Sequence, residues 1–530
     1  MWWLLPLWLN VVLGLLGTFL GVAYYFLTSD FDHWKKKGVK YAKAVPFFGS
    51  LVRSMTLQDH LVNDLDRIYK DFQGENFVGF FQGRTASILV RDPELIKEIL
   101  VKDFSHFYNH GFKIHEEADP MQAKSLFNLN DHKWKEMRSK LSPTFTSGKI
   151  KMMTPLMEEV SQNFIAHLDK ISKSGKPFET KDLVSRFTTD IISSCAFGVK
   201  SNAIDDPNTE FRVMGRKLVE MDFFKALKTF VILFLPEVGM SLRLAFTEKV
   251  VADFFRKLVH DVMEVRKKTN LVRKDFMHLL IELKDKGSIA SEGAEDEKEI
   301  KELNGFGTTI STNTIKLTHD DLTAQASIFF FAGFETSSTL ISFASLELSV
   351  NKEAQKKLQA DIDQALKNHG GKLCYDALKD MKYLDAVVQE TLRKYPPAVN
   401  IMRICTKNYI IPGTKVQIDE GTPLIIPAFS LQNDPKYFPN PEMFDPERFM
   451  DEDALHKYQY LHMPFGEGPR MCIGNRFALV QSKMGIASIF SKFDVSIASK
   501  TKYPPTFDKQ LFILAAEGGI WLNVNPRREE

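Results

Sequence analysis

Between Phe465 and Gly474 the chain reads FGEGPRMCIG, one cysteine among three glycines, a proline and an arginine. A free cysteine is ordinarily a buried, inert hydrophobe in a strand or helix. Cys472 instead lies in a turn-forming stretch, directly before NRFALVQSKMGIASIFSKF, an amphipathic helical pattern. A helix N-terminus favours an anion through its dipole. Gly468 and Gly474 let the backbone bend so that amide groups can face the sulfur, which also favours a thiolate. As a catalytic nucleophile the cysteine would need a histidine base; none is local, which leaves only a distant one. As a ligand of haem iron it needs no base, and a thiolate there pushes electron density in the sense that favours O–O cleavage.

Two other groups of residues are placed for chemistry. In QASIFFFAGFETSSTLISFASLELSV, Gly333, Glu335, Thr336, Ser337 and Ser338 interrupt an otherwise apolar helical pattern near its middle. The helix begins at Thr318, a good N-cap, with Asp320 and Asp321 in its first turn. A helix apolar on most sides runs through a core, and a glycine inside it costs about 1 kcal/mol relative to alanine. Weakening a buried helix and making it polar at the centre points to a site. The second group is Glu390 and Arg393 in MKYLDAVVQETLRKYPP, three apart and so on one helix face. Spacing alone makes them an exposed pair of small energetic value. For Thr336, residue type alone allows a hydroxyl bonded back to the preceding turn.

The elements that must position these residues follow from the rest of the chain. At 530 residues, with 69 Lys plus Arg against 67 Asp plus Glu, it is long enough for one large domain and carries no basic excess of the kind nucleic-acid binders show. Cys195, Cys374, Cys405 and Cys472 are scattered without a CxxC pair, which argues against structural zinc and disulfide frameworks. The first 27 residues contain no charge and are long enough to cross a bilayer. Lys35, Lys36, Lys37, Lys40 and Lys43 follow, which sets the body of the protein on the cytosolic side. Residues 1–28 are therefore read as a transmembrane signal anchor, 29–50 as a basic linker hinged at KAVPFFGSL, and 51–530 as the catalytic domain. Residues 76–92 predict a hairpin-like strand pair, and 131–280 a largely helical region. The polar stretch 284–316 predicts a mobile surface loop. Short strands are predicted in NYIIPGTKVQI, GTPLIIPAFSLQ, 511–515 and 520–524.

FGEGPRMCIG resembles the cysteine loop of the cytochrome P-450 haem-thiolate monooxygenases, matching F-x-x-G-x-R-x-C-x-G at every fixed position. The family's other elements occur in order. AGFET (332–336) is similar to the oxygen-binding groove, ETLR (390–393) to the E-x-x-R pair, PERF (446–449) to its partner segment, and WKEMR (134–138) to the helix that approaches a haem propionate. YPPAVNIMRICTKNY and FFFAGFETSST are similar to arthropod microsomal enzymes of foreign-compound metabolism. The resemblance covers essentially the whole chain. It implies a mainly α fold with smaller β-sheets and a bound haem b with Cys472 as axial iron ligand. Trp134, Arg138, Arg403, Phe465, Gly468, Arg470 and Gly474 then become cofactor contacts, the arginines through their planar donor forks. Glu390, Arg393 and Arg448 become a buried triad behind the cysteine loop. Thr336 donates to the oxygen being activated, Glu335 relays protons, and a helix break at Gly333, beside Ala332, makes room. The implied substrate pocket is apolar, drawing on Phe107, Phe112, Phe127, Phe330, Phe331, Val399, Ile401, Phe512 and Ile513. FFKALKTFVILFLP (223–236) is either a second membrane contact over the pocket entrance or buried core.

No GxGxxG-type loop or iron–sulfur cysteine set is present, so electrons must come from elsewhere. The resemblance implies an NADPH-dependent flavoprotein reductase, with cytochrome b5 as a second donor, at the endoplasmic reticulum membrane. Lys133, Lys135, Lys140 and Arg476 offer a basic docking face. Three readings stay distinct: a monooxygenase of lipophilic compounds (xenobiotic, or an endogenous lipid or hormone), a haem-thiolate isomerase or dehydratase needing no electrons, and a haem-based sensor. The Glu335–Thr336 pair argues against the second; an oxygen groove joined to a membrane anchor argues against the third.

Overall fold

Short apolar runs in FVGFFQ and TASILV, separated by Gly83 and Arg84, fold as two antiparallel strands. In the computed structural model, which describes residues 7–287, 289, 294–304, 317–451, 453–510 and 513–527, these are β1 (Phe77–Gln82) and β2 (Thr85–Val90), in register from Phe77 opposite Val90 to Gln82 opposite Thr85. Gly83 has φ +59°, the left-handed conformation the two-residue turn requires. The helices that bear on the site are α1 (Leu7–Thr28), α2 (Asp131–Leu141), α3 (Ser147–Ser174), α4 (Thr180–Ile192), α5 (Phe223–Phe234), α6 (Ala294–Asn304), α7 (His319–Val350), α8 (Lys382–Lys394) and α9 (Asn475–Phe490). Two further strands, β3 (Ile401–Ile404) and β4 (Pro423–Ile426), join the hairpin in one sheet of order β1-β2-β4-β3. Near the C-terminus β5 (Phe493–Ile497) and β6 (Trp521–Pro526) pair antiparallel. The fold is mainly α with small sheets.

The interior divides in two. A large cluster surrounds α7, including Phe187, Phe330, Phe334, Leu346, Leu384 and Met484. A smaller one lies under the four-stranded sheet, around Phe80, Ile88, Ile99, Leu424 and Phe107. Thr318 and Asp321 close α7 with a capping box, each side chain bonded to the other's backbone amide. From Leu322 to Ser349 most of the helix is buried. α1 is the opposite case: long and apolar enough to span a membrane, with none of its span buried.

Several expectations change. The supposed hinge is a tight turn, with Val45 and Gly49 exchanging backbone bonds of 2.8 Å each. Gly49 is wedged at φ +62°, where a Cβ would lie 2.3 Å from Phe81 O. The 284–316 stretch is not wholly a loop: residues 294–304 form α6. Glu295, Asp296 and Glu297 occupy the first turn of α6, where the dipole favours them, and contacts described below offset the ordering cost. The remainder from 305 to 316 lies outside the described residues. GTPLIIPAFSLQ is half strand and half helix, because Ala428–Gln432 turns helical after Pro427. Leu511 and Phe512 are outside the described residues, and no named strand covers 513–515.

Candidate haem-thiolate site

The cysteine loop is shaped by three backbone bonds. Gly466 N donates to Met463 O (3.0 Å), Met471 N to Gly468 O (2.9 Å), and Cys472 N to Phe465 O (2.8 Å). Gly468 is indispensable to this path: its φ is +72°, and a Cβ there would stand 1.9 Å from Leu100 O. Phe465 packs at the edge of the main core. Gly474 precedes α9, at φ −93°, with room for a Cβ at 3.7 Å from Phe145. Its contribution is therefore its amide, which bonds the Cys472 thiol and lowers its pKa, as does the charge of Arg138. Burial is the larger effect and leaves the thiol above its ordinary value. Cys472 is nonetheless accessible, unlike Cys195 and Cys405.

Around the loop converge three buried guanidiniums, Arg138, Arg403 and Arg470. Arg138 sits on α2 one turn after Trp134, and the Arg470 guanidinium stacks 4.3 Å from the Trp134 ring centroid. Arg470 donates to the carbonyls of Tyr108 (2.7 Å), Leu126 (3.3 Å), Phe127 (3.3 Å) and Leu129 (2.5 Å). Arg403, on β3, donates from Nη1 to Met402 O at 2.8 Å, and its Nε is buried without a hydrogen-bond partner. Burial and then the charges of Arg403 and Arg138 bring Arg470 down to about 8; burial brings Arg138 and Arg403 down to about 10. His110, bonded to Phe127 O at 2.9 Å, is held well below its ordinary value by burial and by Arg470 and Arg403. Buried cations, one of them depressed by the other two, are costly unless an anion joins them. An iron porphyrin bearing two carboxylates would satisfy both the arginines and, as a thiolate ligand, Cys472. The residues fit haem.

The second part of the site is the middle of α7. Ala332 is exposed and Phe331, Gly333 and Thr336 partly so, while Phe334, Glu335 and Ser337 are buried. The helix runs unbroken through Gly333, so the expected break is not seen. The glycine serves packing: a Cβ would lie 2.7 Å from Ile192 of α4, and Gln481 of α9 donates to Gly333 O at 2.8 Å. This last bond ties the helix behind the cysteine to the groove. Thr336 Oγ1 donates to Ala332 O at 2.6 Å, the local bond that residue type alone allows. Glu335 is buried and ion-paired with Lys181 Nζ at 2.9 Å. The same ammonium reaches Glu335 O (3.0 Å), Ser338 Oγ (2.9 Å) and Thr339 Oγ1 (2.6 Å), so four acceptors hold it. Burial lowers the pKa of Lys181 and Glu335 opposes that. A cavity of about 200 Å³ reaches Lys181, Thr339 and Ser342 but touches no residue of the cysteine loop.

Glu390 and Arg393 are wholly buried, not a surface pair. Arg393 Nε and Nη2 meet Glu390 Oε2 and Oε1 at 2.7 and 2.8 Å, a bidentate ion pair. Arg448 Nε stands 3.6 Å from Glu390 Oε1. The remaining donors of Arg393 go to Gln432 O, Pro441 O and Met443 O.

The nominated pocket residues are not brought together. Phe107 belongs to the smaller cluster, 5.0 Å from Tyr409. Phe330 is enclosed by Phe197, Phe211, Phe255 and Phe334; both are core, because rings already surround them. Phe112 and Phe127 pack on each other at 5.9 Å, near His110, and Phe331 is partly exposed beside Ala332. Val399 and Ile513 are buried and Ile401 partly so. Sequence reasoning missed Lys181 and His110. A single lysine in an amphipathic helix or a histidine in a loop carries no local signal, since only tertiary contact gives either one a role.

A haem-thiolate oxygenase is the class that this fold and site define. A family model described as Cytochrome P450 matches residues 39–523, and the chain belongs to that family. It is 40% identical to cytochrome P450 9e2 of Blattella germanica, over 96% of this chain and 96% of the relative. Cytochrome P450 6k1 of the same species is 37% identical (96% and 95%), and the probable cytochrome P450 6a14 of Drosophila melanogaster 36% identical (97% and 99%). Membership implies a haem-thiolate cofactor, oxygen-incorporating monooxygenase chemistry and a separate redox partner.

Proposed function

We propose that this chain is a membrane-anchored monooxygenase that inserts one oxygen atom from O2 into lipophilic small molecules, by hydroxylation, epoxidation or dealkylation. The observation that carries this is the convergence of Cys472, Gly474 N and the three buried arginines, with α9 tied to the polar centre of α7 through Gln481 and Gly333. Cys472 would be the axial ligand of haem b; Arg138, Arg403, Arg470 and Trp134 would hold its propionate edge. When bound, that group supplies oxygen activation at a thiolate-ligated iron. The protein's own part is to orient, exclude water and deliver protons. Glu335 acts as proton carrier, and its carboxylate must leave Lys181 to do so. Thr336 must turn its hydroxyl from Ala332 O to donate elsewhere. Glu390, Arg393 and Arg448 brace the loop from behind.

Electrons would come from NADPH through a flavoprotein reductase, with cytochrome b5 as an auxiliary, at the cytosolic face of the endoplasmic reticulum. Similarity to the insect relatives favours foreign compounds as substrates; an endogenous lipid or hormone is the alternative. Every described side chain of α5 except Ile232 is at least partly exposed, with Phe224 at 79%. That supports membrane contact over buried core. The test is a reduced, carbon-monoxide-bound absorption spectrum, followed by product analysis with NADPH and reductase on a panel of lipophilic compounds. Cys472→Ala should abolish the thiolate spectrum and the oxygenation. Retained NADPH-dependent oxygenation in that variant would overturn the assignment.

A further inference from the structure

α6 is an acidic helix: AEDEKEIKELN carries Glu295, Asp296, Glu297, Glu299 and Glu302 against Lys298 and Lys301. Its contacts all fall on one place. Glu299 Oε2 accepts from Ser147 N at 2.7 Å, supplying the cap that Thr146 leaves unmade at the start of α3. Asn304, itself buried, accepts from Ser142 Oγ at 2.6 Å through its side-chain oxygen. Glu299 and Glu302 stand 3.7 and 3.3 Å from the guanidinium of Arg476. Arg476 lies in the first turn of α9, four residues after Cys472, and belongs to the basic face read from the sequence. Of the other members, Lys140 pairs with Glu136 at 3.6 Å, while the Lys133 side chain is 76% exposed. The acidic helix therefore covers Arg476, the member of that face nearest the cysteine in sequence, while Lys133 stays 76% exposed with Glu116 at 4.0 Å.

We propose that α6 is a built-in cover of the electron-entry face: its carboxylates occupy the position that a partner's carboxylates would take on Arg476. The partner that fits is an electron-donating flavoprotein whose docking surface is acidic, by charge complementarity with Arg476 and Lys133. Docking must displace Glu302 and Glu299 from Arg476, so the contact lowers affinity for the donor and makes it salt-dependent in a particular way. This rests on the reductase reading above.

The experiment measures the Kd of the purified holoenzyme for a soluble NADPH-cytochrome reductase at low and high salt. Variants are Glu302→Gln and Glu299→Gln/Glu302→Gln; glutamine keeps an acceptor for Ser147 N, and Glu302→Gln leaves that cap untouched. At low salt the variants should bind about three- to tenfold more tightly than the wild type, with the difference vanishing at high salt. Haem content, melting temperature and peroxide-supported turnover, which needs no reductase, should not change. Equal Kd values at low salt, or weaker binding by the variants, would overturn the cover. A wild-type enzyme that neither binds the reductase nor takes electrons from it would overturn the electron-partner reading itself, and the cover with it.

Discussion

Thr336 and Glu335 are both engaged at rest, the first with Ala332 O and the second with Lys181. Each must break a local contact before it can serve a proton path, so each is a switchable group rather than a fixed wire. Thr336→Ala removes the hydroxyl without touching the packing of Gly333 against Ile192. It should leave substrate binding unchanged and cut product formed per NADPH roughly tenfold or more, with peroxide appearing instead. Simultaneous measurement of NADPH, product and peroxide checks this, and unchanged coupling would deny Thr336 the role. Arg393 sits at the other extreme of the same scale. With no exposure and five polar contacts at 3.2 Å or less, its loss strands a buried carboxylate. Arg393→Ala should cost about 3–5 kcal/mol and yield protein without bound haem; normal haem content after purification would contradict it.

At the scale of elements, α5 and α1 both display apolar residues that the domain does not cover. In α5 these include Phe224 and Leu227, and Phe230 stacks on Phe47 of the linker turn at 5.5 Å. The linker turn and α5 thus form one apolar surface. Phe224→Glu with Leu227→Glu, in protein lacking residues 1–28, should weaken liposome binding by about 1–2 kcal/mol per residue. Sedimentation with vesicles reads that change, and equal partition of variant and parent would assign the face elsewhere. The elements also show what patterning can reveal. The hairpin, the capped α7 and β6 follow from periodicity and turn residues close to where they are found. The helix α6 does not, because a charged segment is held here through Ser142, Ser147 and Arg476, which lie far off in sequence.

For the whole molecule, one buried histidine and one partly exposed histidine set an acid limit. Burial and then Arg393 bring His462 down to about 3, and His110 is held well below its ordinary value. His462 Nε2 shares a hydrogen with Gln389 Oε1 at 2.9 Å, while Nδ1 has no partner. The folded state binds these protons later than the unfolded chain, whose histidines titrate near 6.5. Stability is therefore fully present above about pH 6.5 and falls as the pH drops toward the folded values. Each histidine should remove up to about 1.4 kcal/mol per pH unit in that window. Denaturant midpoints across the window measure it, and His462→Gln should flatten the slope; an identical slope would assign the acid limit to other groups.

FGEGPRMCIG, with the AGFET and ETLR segments in order, was enough for the family and through it the fold and the class of chemistry, and the uncharged N-terminus for a helix long enough to span a membrane, because each is a local pattern. Tertiary structure alone decided that Glu390 and Arg393 are buried rather than exposed, and that Phe107 and Phe330 are core rather than pocket. It also decided that Glu335 rests against Lys181 and that an acidic helix lies over Arg476. Those outcomes depend on which distant side chains fill the space around a residue, and residue spacing along a chain does not encode its neighbours across it.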